Sequence, residues 1–374
     1  MAGTRRGARG DFFAGLVIAL TAAVLGLTPA AQAQASRAQT MGEAATAFLE
    51  TLTDAQRDTI VRPFGDDAAR VNWSNLPVPM APRDGLALGS LDDAQRSAFH
   101  EVLLAAMSSQ GYHKAASIMW IDDILRVEEE AALLTLAPAA RARREPITRS
   151  RDSGQYWIVV FGQPGDANWG WMLSGHHLAA NFTVAGGKIA FTPLFLGASP
   201  QTVTSGKYAG WRVLEHEIDR AFALAATLDE KQRARTLLGA EVSADLFTGR
   251  GRKDSLAAPV GMPASMLRAD QQAILWGLIR EYTGDAADEV ADSQLEAVRK
   301  DGLDKLHVAW WGPTDDPARR FMYRIHGPSI LIEYAREPDM ASGGPANHVH
   351  AIVRDPRNDY GEDWLERHYV EAHQ

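Results

Sequence analysis

The strongest constraint on the fold is that strand-like sequence occurs as hairpins, in two separate blocks of the chain. Residues 156–196 are rich in β-branched and aromatic side chains, and a Gly-Gly pair at 186–187 separates two strand-like runs. Residues 306–353 repeat the pattern, with Gly-Pro at 327–328 between two apolar runs. Tight turns of this kind join antiparallel neighbours, whereas parallel strands need a long crossover. The sequence therefore predicts an antiparallel sheet built from hairpins.

Two helical regions precede the two strand blocks. Residues 41–134 and 211–301 carry apolar side chains at helical spacing, and Thr53 and Asp92 precede two of these runs as N-cap residues. Residues 141–151 hold five arginines and few apolar residues, which predicts a solvated connection. Helices that interleave with hairpins are typical of the α+β class, with helices packed against an antiparallel sheet.

The composition excludes several classes of protein. The chain has 374 residues, 46% of them hydrophobic, so it can bury a large core. It has no cysteine, which excludes disulfide scaffolds, thiolate zinc sites, iron–sulfur clusters and cysteine nucleophiles. A net charge of -9 argues against a nucleic-acid partner, because binding phosphates requires a basic surface. Any metal ligands must therefore be histidine, aspartate or glutamate.

The first 33 residues have the pattern of a signal peptide. Basic residues at 5–9 precede a charge-free apolar run at 12–27, and Ala-x-Ala sites follow at 31–35. An uncleaved anchor is disfavoured, because a spanning helix needs ~20 apolar residues. We therefore expect residues 1–33 to be removed and residues 34–374 to form a single exported domain, periplasmic or secreted. After cleavage, no membrane association is expected, and the choice between Sec and Tat export stays open.

Four histidines in two groups are the candidate metal ligands: His176, His177, His348 and His350. In a strand, residues two apart point to the same face, so His348 and His350 can reach one ion together. The other two fall inside a predicted strand at 171–184, where His176 would face the apolar side and His177 the polar side. We therefore expect a divalent ion (zinc, copper or iron) on His177, His348 and His350. A core histidine at 176 and a structural network at 348–350 are the alternatives.

Four further residues are candidate catalytic groups. Arg324 and His326 share one face of a predicted strand, and Glu333 interrupts the apolar run that follows. A carboxylate in such a run is costly to bury unless it is paired or binds a metal. Glu333 is thus a metal ligand or general base, or it forms an ion pair with Arg324. Glu217, on a predicted helix, is a second candidate ligand or base, and a solvated helix face is its alternative.

Several well-known motifs do not occur in the sequence. No phosphate-binding G-x-x-x-x-G-K-[ST] motif and no G-x-G-x-x-G followed by a helix are present, so a nucleotide cofactor is not expected. The sequence also has no G-x-S-x-G nucleophile motif, and residues 215–220 do not form H-E-x-x-H.

A long C-terminal motif and several shorter ones resemble the DUF3500 family. These stretches are RVNW at 70–73, SQGY at 109–112, GHHL at 175–178, TPLFLGASP at 192–200, WWG at 310–312, FMYRIHGPSILIEY at 321–334, NHVH at 347–350, RDPRNDYG at 354–361 and HY at 368–369. The family is a domain of unknown function. The resemblance therefore implies exported homologues that share these histidine, arginine, glutamate and aspartate positions, and it implies no particular reaction.

Three functions remain open from the sequence. The favoured one is an exported metal-dependent enzyme, a hydrolase or an oxidoreductase, that acts on a small-molecule substrate. A second is a metal-free enzyme with a histidine base, in which Arg324 holds an anionic substrate. A third is a periplasmic protein that binds a small molecule without chemistry.

Overall fold

The computed structural model describes residues 28–251, 258–338 and 346–366. Its helices, numbered α1 to α10 in chain order, are Pro29–Glu50, Asp54–Ile60, Asp67–Arg70, Asp93–Ala106, Ser109–Leu133, Pro138–Arg149, Glu215–Thr227, Glu230–Thr236, Ala269–Thr283 and Asp288–Asp301. Its strands, numbered β1 to β13, are Val61–Arg62, Leu86–Ala87, Trp157–Phe161, Asn168–Ser174, Leu178–Ala185, Lys188–Ala190, Leu194–Ala198, Leu237–Gly239, Met262–Pro263, His307–Trp311, Met322–Gly327, Ile330–Glu337 and His348–Arg354.

All thirteen strands belong to one sheet, and helices pack against it, which confirms the α+β class. The central order is β1-β3-β4-β5-β7-β13-β12-β11-β10-β8. Neighbours pair antiparallel except β1 with β3 and β8 with β10, which are parallel, so the sheet is mixed. The predicted Gly-Gly turn at 186–187 is confirmed: both glycines have positive φ, and β5 and β6 pair across them.

The N-terminal helices form where the sequence predicts them. Helices α2 and α4 begin after Thr53 and Asp92, and each of these residues forms a reciprocal capping box with the glutamine three positions later. These side chains satisfy backbone N–H groups that the first helical turn leaves unpaired. The cap is encoded within four residues, so a local pattern is sufficient to find it.

The two faces of the sheet bury different clusters. The larger core lies under the helices and includes Phe99 of α4 and Ile118 of α5. The smaller one, on the opposite face, includes Trp73, Leu246 and Ile352. Two segments without regular secondary structure contribute side chains to this smaller cluster. They are the proline-rich link at 72–85 and the loop at 240–251.

The predicted strand at 171–184 is wrong in one respect that matters for the site. Strand β4 ends at Ser174 and β5 begins at Leu178, so His176 and His177 lie in the turn between them. The prediction that they point to opposite faces depended on strand alternation, which a turn does not obey.

The predicted solvated connection at 141–151 is also wrong. Helix α6 occupies most of it, and Thr148 and Arg151 are buried. Long arginine side chains are good helix formers and cover neighbouring surface with their alkyl stems, so their number does not indicate a loop.

The predicted helical region at 211–301 is interrupted. Helix α8 ends at Thr236, and the short strand β8 and the loop at 240–251 follow it.

Most of the predicted signal peptide lies outside the described residues. Residues 29–33 form the first turn of α1, and the signal peptide itself stays a prediction. Within the described residues, each helix is too short or too polar to cross a lipid bilayer.

Candidate metal centre

Three histidines from distant parts of the sequence converge beside strand β7. We call His177, His348 and His350 the histidine cluster; one nitrogen of each lies within 4.8 Å of those of the other two. The Nε2 atoms of His177 and His348 are 3.1 Å apart. His348 and His350 project from the same face of β13, as their spacing predicts, with ring centroids 4.5 Å apart.

Strand β7 brings the two histidine groups together. It pairs with β5 on one side and with β13 on the other, and Gly197 lies directly opposite His350. The Gly197 N–H donates to the carbonyl of His177 at 2.7 Å. A Cβ at position 197 would lie 2.9 Å from Cδ2 of His177 and 3.1 Å from Cδ2 of His350. Glycine is therefore required here for the two imidazoles to come together.

Asp122 orients the histidine doublet from helix α5. Its Oδ1 lies 3.2 Å from Nδ1 of both His176 and His177, and its Oδ2 accepts a hydrogen bond from the Tyr156 hydroxyl at 2.7 Å. With Nδ1–H of His177 donated to the carboxylate, Nε2 carries the lone pair that faces His348. Asp122 thus fixes the tautomer in which His177 can bind a metal.

Two carboxylates hold His350 in the same way. Its Nδ1 lies 3.0 Å from Oδ1 of Asp245 and 3.0 Å from Oε1 of Glu337. Its Nε2 is buried and finds no hydrogen-bond partner among the described residues. Oε2 of Glu337 also lies 3.7 Å from Nδ1 of His348. Each imidazole therefore turns one nitrogen to a carboxylate and the other toward the centre of the cluster.

Burial keeps most of these imidazoles neutral. It lowers the pKa of His177 to about 4 and the pKa values of His176 and His348 well below the ordinary value. His350 differs: burial alone would lower its pKa, but Glu337 and Asp245 raise it to about 9. Asp122 stays ionised, since the two histidines outweigh the effect of burial and lower its pKa. At neutral pH, His177 and His348 therefore present neutral imidazoles to the site. His350 is protonated, and a bound metal ion would displace its proton.

The separation of His177 and His348 fits two imidazole ligands of one tetrahedral metal ion. Two nitrogens at the usual zinc distance of about 2.0–2.1 Å are about 3.3 Å apart, close to the 3.1 Å between Nε2 of His177 and Nε2 of His348. Ligating histidines also commonly donate their second N–H to a carboxylate, as Asp122 and Asp245 allow here. The buried Nε2 of His350 would gain the partner it lacks in the protein alone.

A cavity of about 490 Å³ lies beside the cluster. His176, His348, His350 and Glu337 form part of its wall. Its remaining wall comes from the proline-rich link, helices α5 and α6, and the loop at 240–251. The cavity gives a small molecule access to the imidazoles without exposing the whole site to solvent.

Arg324 and Glu333 lie outside the cluster and neutralise each other. They are directly paired across β11 and β12, and the guanidinium donates two hydrogen bonds to Oε1 of Glu333. The Thr248 backbone N–H and hydroxyl donate to Oε2 of Glu333, each at 2.9 Å. Both oxygens are therefore occupied, which favours the ion-pair alternative.

The other two catalytic candidates lie elsewhere. His326 pairs with Leu331, which in turn pairs with Arg354, four residues along β13 from His350. Glu217 is fully buried rather than solvated, and its Oε1 lies 2.7 Å from Nζ of Lys114. Neither side chain belongs to the groups of potential metal ligands around the histidines.

Three residues of the site were missed in the sequence. Asp122 has a weak signal, as a charged residue among the apolar positions of a helix. Glu337 pairs directly with His348, which becomes visible only when the register of β12 and β13 is known. Asp245 lies in a loop, and no local pattern indicates it.

Comparison with known proteins gives a family and no function. Residues 34–362 match the family model described as "Protein of unknown function (DUF3500)". No curated protein matches the chain, and no solved structure matches it. Because the match spans nearly the whole chain, the protein belongs to the DUF3500 family.

Proposed function

We propose that this protein is a metal-dependent hydrolase whose ion is bound by His177, His348 and His350. The observation that carries the proposal is the paired environment of each ring. One nitrogen faces the other two imidazoles, and the opposite nitrogen faces Asp122, Glu337 or Asp245. A cluster built only to fill the core has no need of three converging nitrogens with carboxylates behind them.

Zinc is the metal that this donor set suits best. Three histidines without a thiolate are a common catalytic zinc set, and such an ion lowers the pKa of a bound water to about 7. The chain contributes the orientation of the rings and the cavity that admits a substrate. Asp245 and Glu337 also line that cavity, so each is placed to accept a proton near the ion.

Elemental analysis of protein purified without an affinity tag tests the proposal. We expect about one zinc per chain in the parent protein and less than about a tenth of that in His348→Ala and His350→Ala. His326→Gln is the matched control, since it alters a buried histidine outside the cluster. Circular dichroism establishes that each variant is folded.

Turnover then separates a hydrolase from the other functions. A panel of esters and amides should be hydrolysed by the zinc-loaded chain, stop reacting after chelation and react again when zinc is restored. Stoichiometric copper or iron would instead indicate an oxidoreductase. Metal-free protein that still turns over substrate, or metal content unaffected by both alanine variants, would refute the metal centre.

The metal-free alternative has lost its proposed anion-binding residue. Arg324 is 5% exposed, and it donates hydrogen bonds to Glu333. Its guanidinium therefore has little capacity left to bind an anionic substrate. Ligand binding without turnover would favour the third function, a small-molecule-binding protein.

We also propose that the protein acts after export, with a small-molecule substrate. The support is the signal-peptide pattern of residues 1–33 and the family match, which begins at residue 34. Mass spectrometry of the protein from its native host should find an N-terminus near residue 34. An intact Met1 on membrane-bound protein would refute cleavage.

A further inference from the structure

Arg151 is a buried cation in the wall of the cavity beside the histidine cluster. It follows the end of α6 and is 8% exposed. Its Nε lies 3.6 Å from Oε1 of Glu129, an ion pair longer than a hydrogen bond. Nε and Nη1 are both buried, and neither has a hydrogen-bond partner among the described residues. A buried guanidinium with unused N–H groups is costly, so it indicates a missing anionic partner.

The fold around Arg151 restrains the carboxylate beside it. The Thr148 hydroxyl donates to Oε2 of Glu129 at 2.9 Å, which holds that carboxylate on the Nε side of the guanidinium. Nη1 is therefore left for another acceptor. The Arg151 charge also acts on the histidines: after burial and neighbouring imidazoles, it contributes to the low pKa values of His176 and His348.

The rest of the cavity wall combines polar side chains with a group of apolar ones. Leu76, Pro77 and Met80 come from the proline-rich link, Leu125 from α5 and Ile147 from α6. Such a wall is suited to an alkyl or aromatic group, and the histidines lie against the same space. A ligand that fills this cavity would thus meet apolar side chains, the imidazoles, the guanidinium groups of Arg151 and Arg144, and the carboxylates of Glu129, Asp245 and Glu337.

We propose that the substrate of the metal centre is an apolar compound that carries one anionic group, a carboxylate or a phosphate, and that Arg151 binds this group. That the ligand is a substrate rests on the proposed function; that Arg151 binds an anion does not. The guanidinium can form paired hydrogen bonds with either group, and it would hold the apolar part of the molecule against the histidines.

Calorimetric titration of the full chain with three eight-carbon probes tests the inference. Octanoate and octyl phosphate carry the two anionic groups, and octan-1-ol is the neutral comparison. In chelator-treated protein we expect one or both anions to bind about 10- to 100-fold more tightly than the alcohol. Arg151→Gln should remove this preference, and Arg151→Lys should keep part of it. Arg149→Gln is the control, because Arg149 is exposed and pairs with Glu145.

The outcomes separate the two proposals. Anion binding in the metal-free chain that depends on Arg151 supports the inference whatever the metal content proves to be. Anion binding that survives Arg151→Gln unchanged refutes it, as does the absence of any preference for the anions. Binding that requires zinc and disappears in His348→Ala, but not in Arg151→Gln, would place the anion on the metal. That result would refute the inference and leave the proposed function standing.

Discussion

Helix α5 contributes to two buried polar clusters, and they differ in what lies at their centres. In the first, which we call the lysine cluster, Nζ of Lys114 lies 2.7 Å from Glu217, 3.0 Å from Glu281 and 2.9 Å from Asp285. Eight residues further along the helix, Asp122 orients the histidine cluster, in which His177 and His348 are neutral and only His350, with Glu337 and Asp245 beside its Nδ1, has a raised pKa. The lysine cluster thus has an ammonium of the chain at its centre, although Oε2 of Glu217 and Oδ2 of Asp285 accept no hydrogen bond among the described residues, whereas imidazole nitrogens line the centre of the histidine cluster.

The ionisable groups at the centres of the two clusters also differ in charge. Burial alone would lower the pKa of Lys114, but Asp285, Glu217 and Glu281 together raise it above its ordinary value. The ammonium therefore stays charged in the core. His177 and His348 are neutral instead, which is the state a metal ion requires of its ligands.

The largest effect is expected in the lysine cluster. Lys114→Met leaves buried carboxylates without their shared cation, and we expect the free energy of unfolding to fall by about 3–5 kcal/mol. Urea denaturation measures this, with Lys231→Met as the control because Lys231 is exposed on α8. A loss below about 1 kcal/mol would show that the central ammonium of the lysine cluster contributes little to stability.

The histidine cluster should respond to metal instead. Added to the chelator-treated chain at about 100 times its dissociation constant, zinc should raise the free energy of unfolding by about 2.7 kcal/mol, because it binds only the folded state. His348→Ala should remove this gain. Asp122→Asn should weaken zinc binding by about 10- to 100-fold, since the amide no longer fixes the tautomer of His177.

A matched variant keeps this prediction specific. His326→Gln should leave the zinc-dependent gain intact, because His326 lies outside the histidine cluster. Equal stabilisation of the parent and His348→Ala by zinc would contradict the assignment of ligands.

The smallest effect concerns an imidazole that belongs to neither cluster. His326 is buried with Nδ1 unpaired within the described part of the chain, and burial and Arg324 lower its pKa to about 4. The folded state then binds fewer protons than the unfolded state between pH 6.5 and 4. Stability is therefore lost as the pH falls through this window and is constant above it. We expect His326→Gln to remove about 1–2 kcal/mol of this acid sensitivity, after allowance for solvent screening.

Denaturation at pH 7 and pH 4.5 measures the difference. His216→Gln is the control, because His216 is exposed on α7 and should change neither value by more than a few tenths of a kcal/mol. An identical pH dependence for the parent and His326→Gln would show that an isolated buried imidazole has little influence on stability here.

Much of the fold could be predicted because its signals are local. The capping boxes at Thr53 and Asp92, the glycine turn at 186–187 and the H-x-H pair on β13 each lie within a few residues. Prediction failed where tertiary contacts override local preference. The segment at 141–151 is helical rather than a loop, and the histidine doublet forms a turn rather than part of a strand.

The candidate site could also be predicted in part from local sequence patterns. Its four histidines were identified, but Asp122, Asp245 and Glu337 were not, because none of them has a local pattern that distinguishes it from other acidic residues. Glu333 was selected for the cost of burying a carboxylate, and Glu217 as a possible ligand or base on a predicted helix, although both prove to be buried. That cost is met by Arg324 and Lys114, which the sequence does not place beside them.

The sequence alone determined which residues can serve as ligands and that His348 and His350 share a face, because the period of a strand is a local property. Tertiary structure decided that His177, 171 positions away from His348, would complete the cluster. That juxtaposition depends on β7 lying between β5 and β13, with a glycine at 197 opposite His350. Strand order is set by burial and hydrogen bonding across the whole sheet, and no short stretch of sequence contains that information.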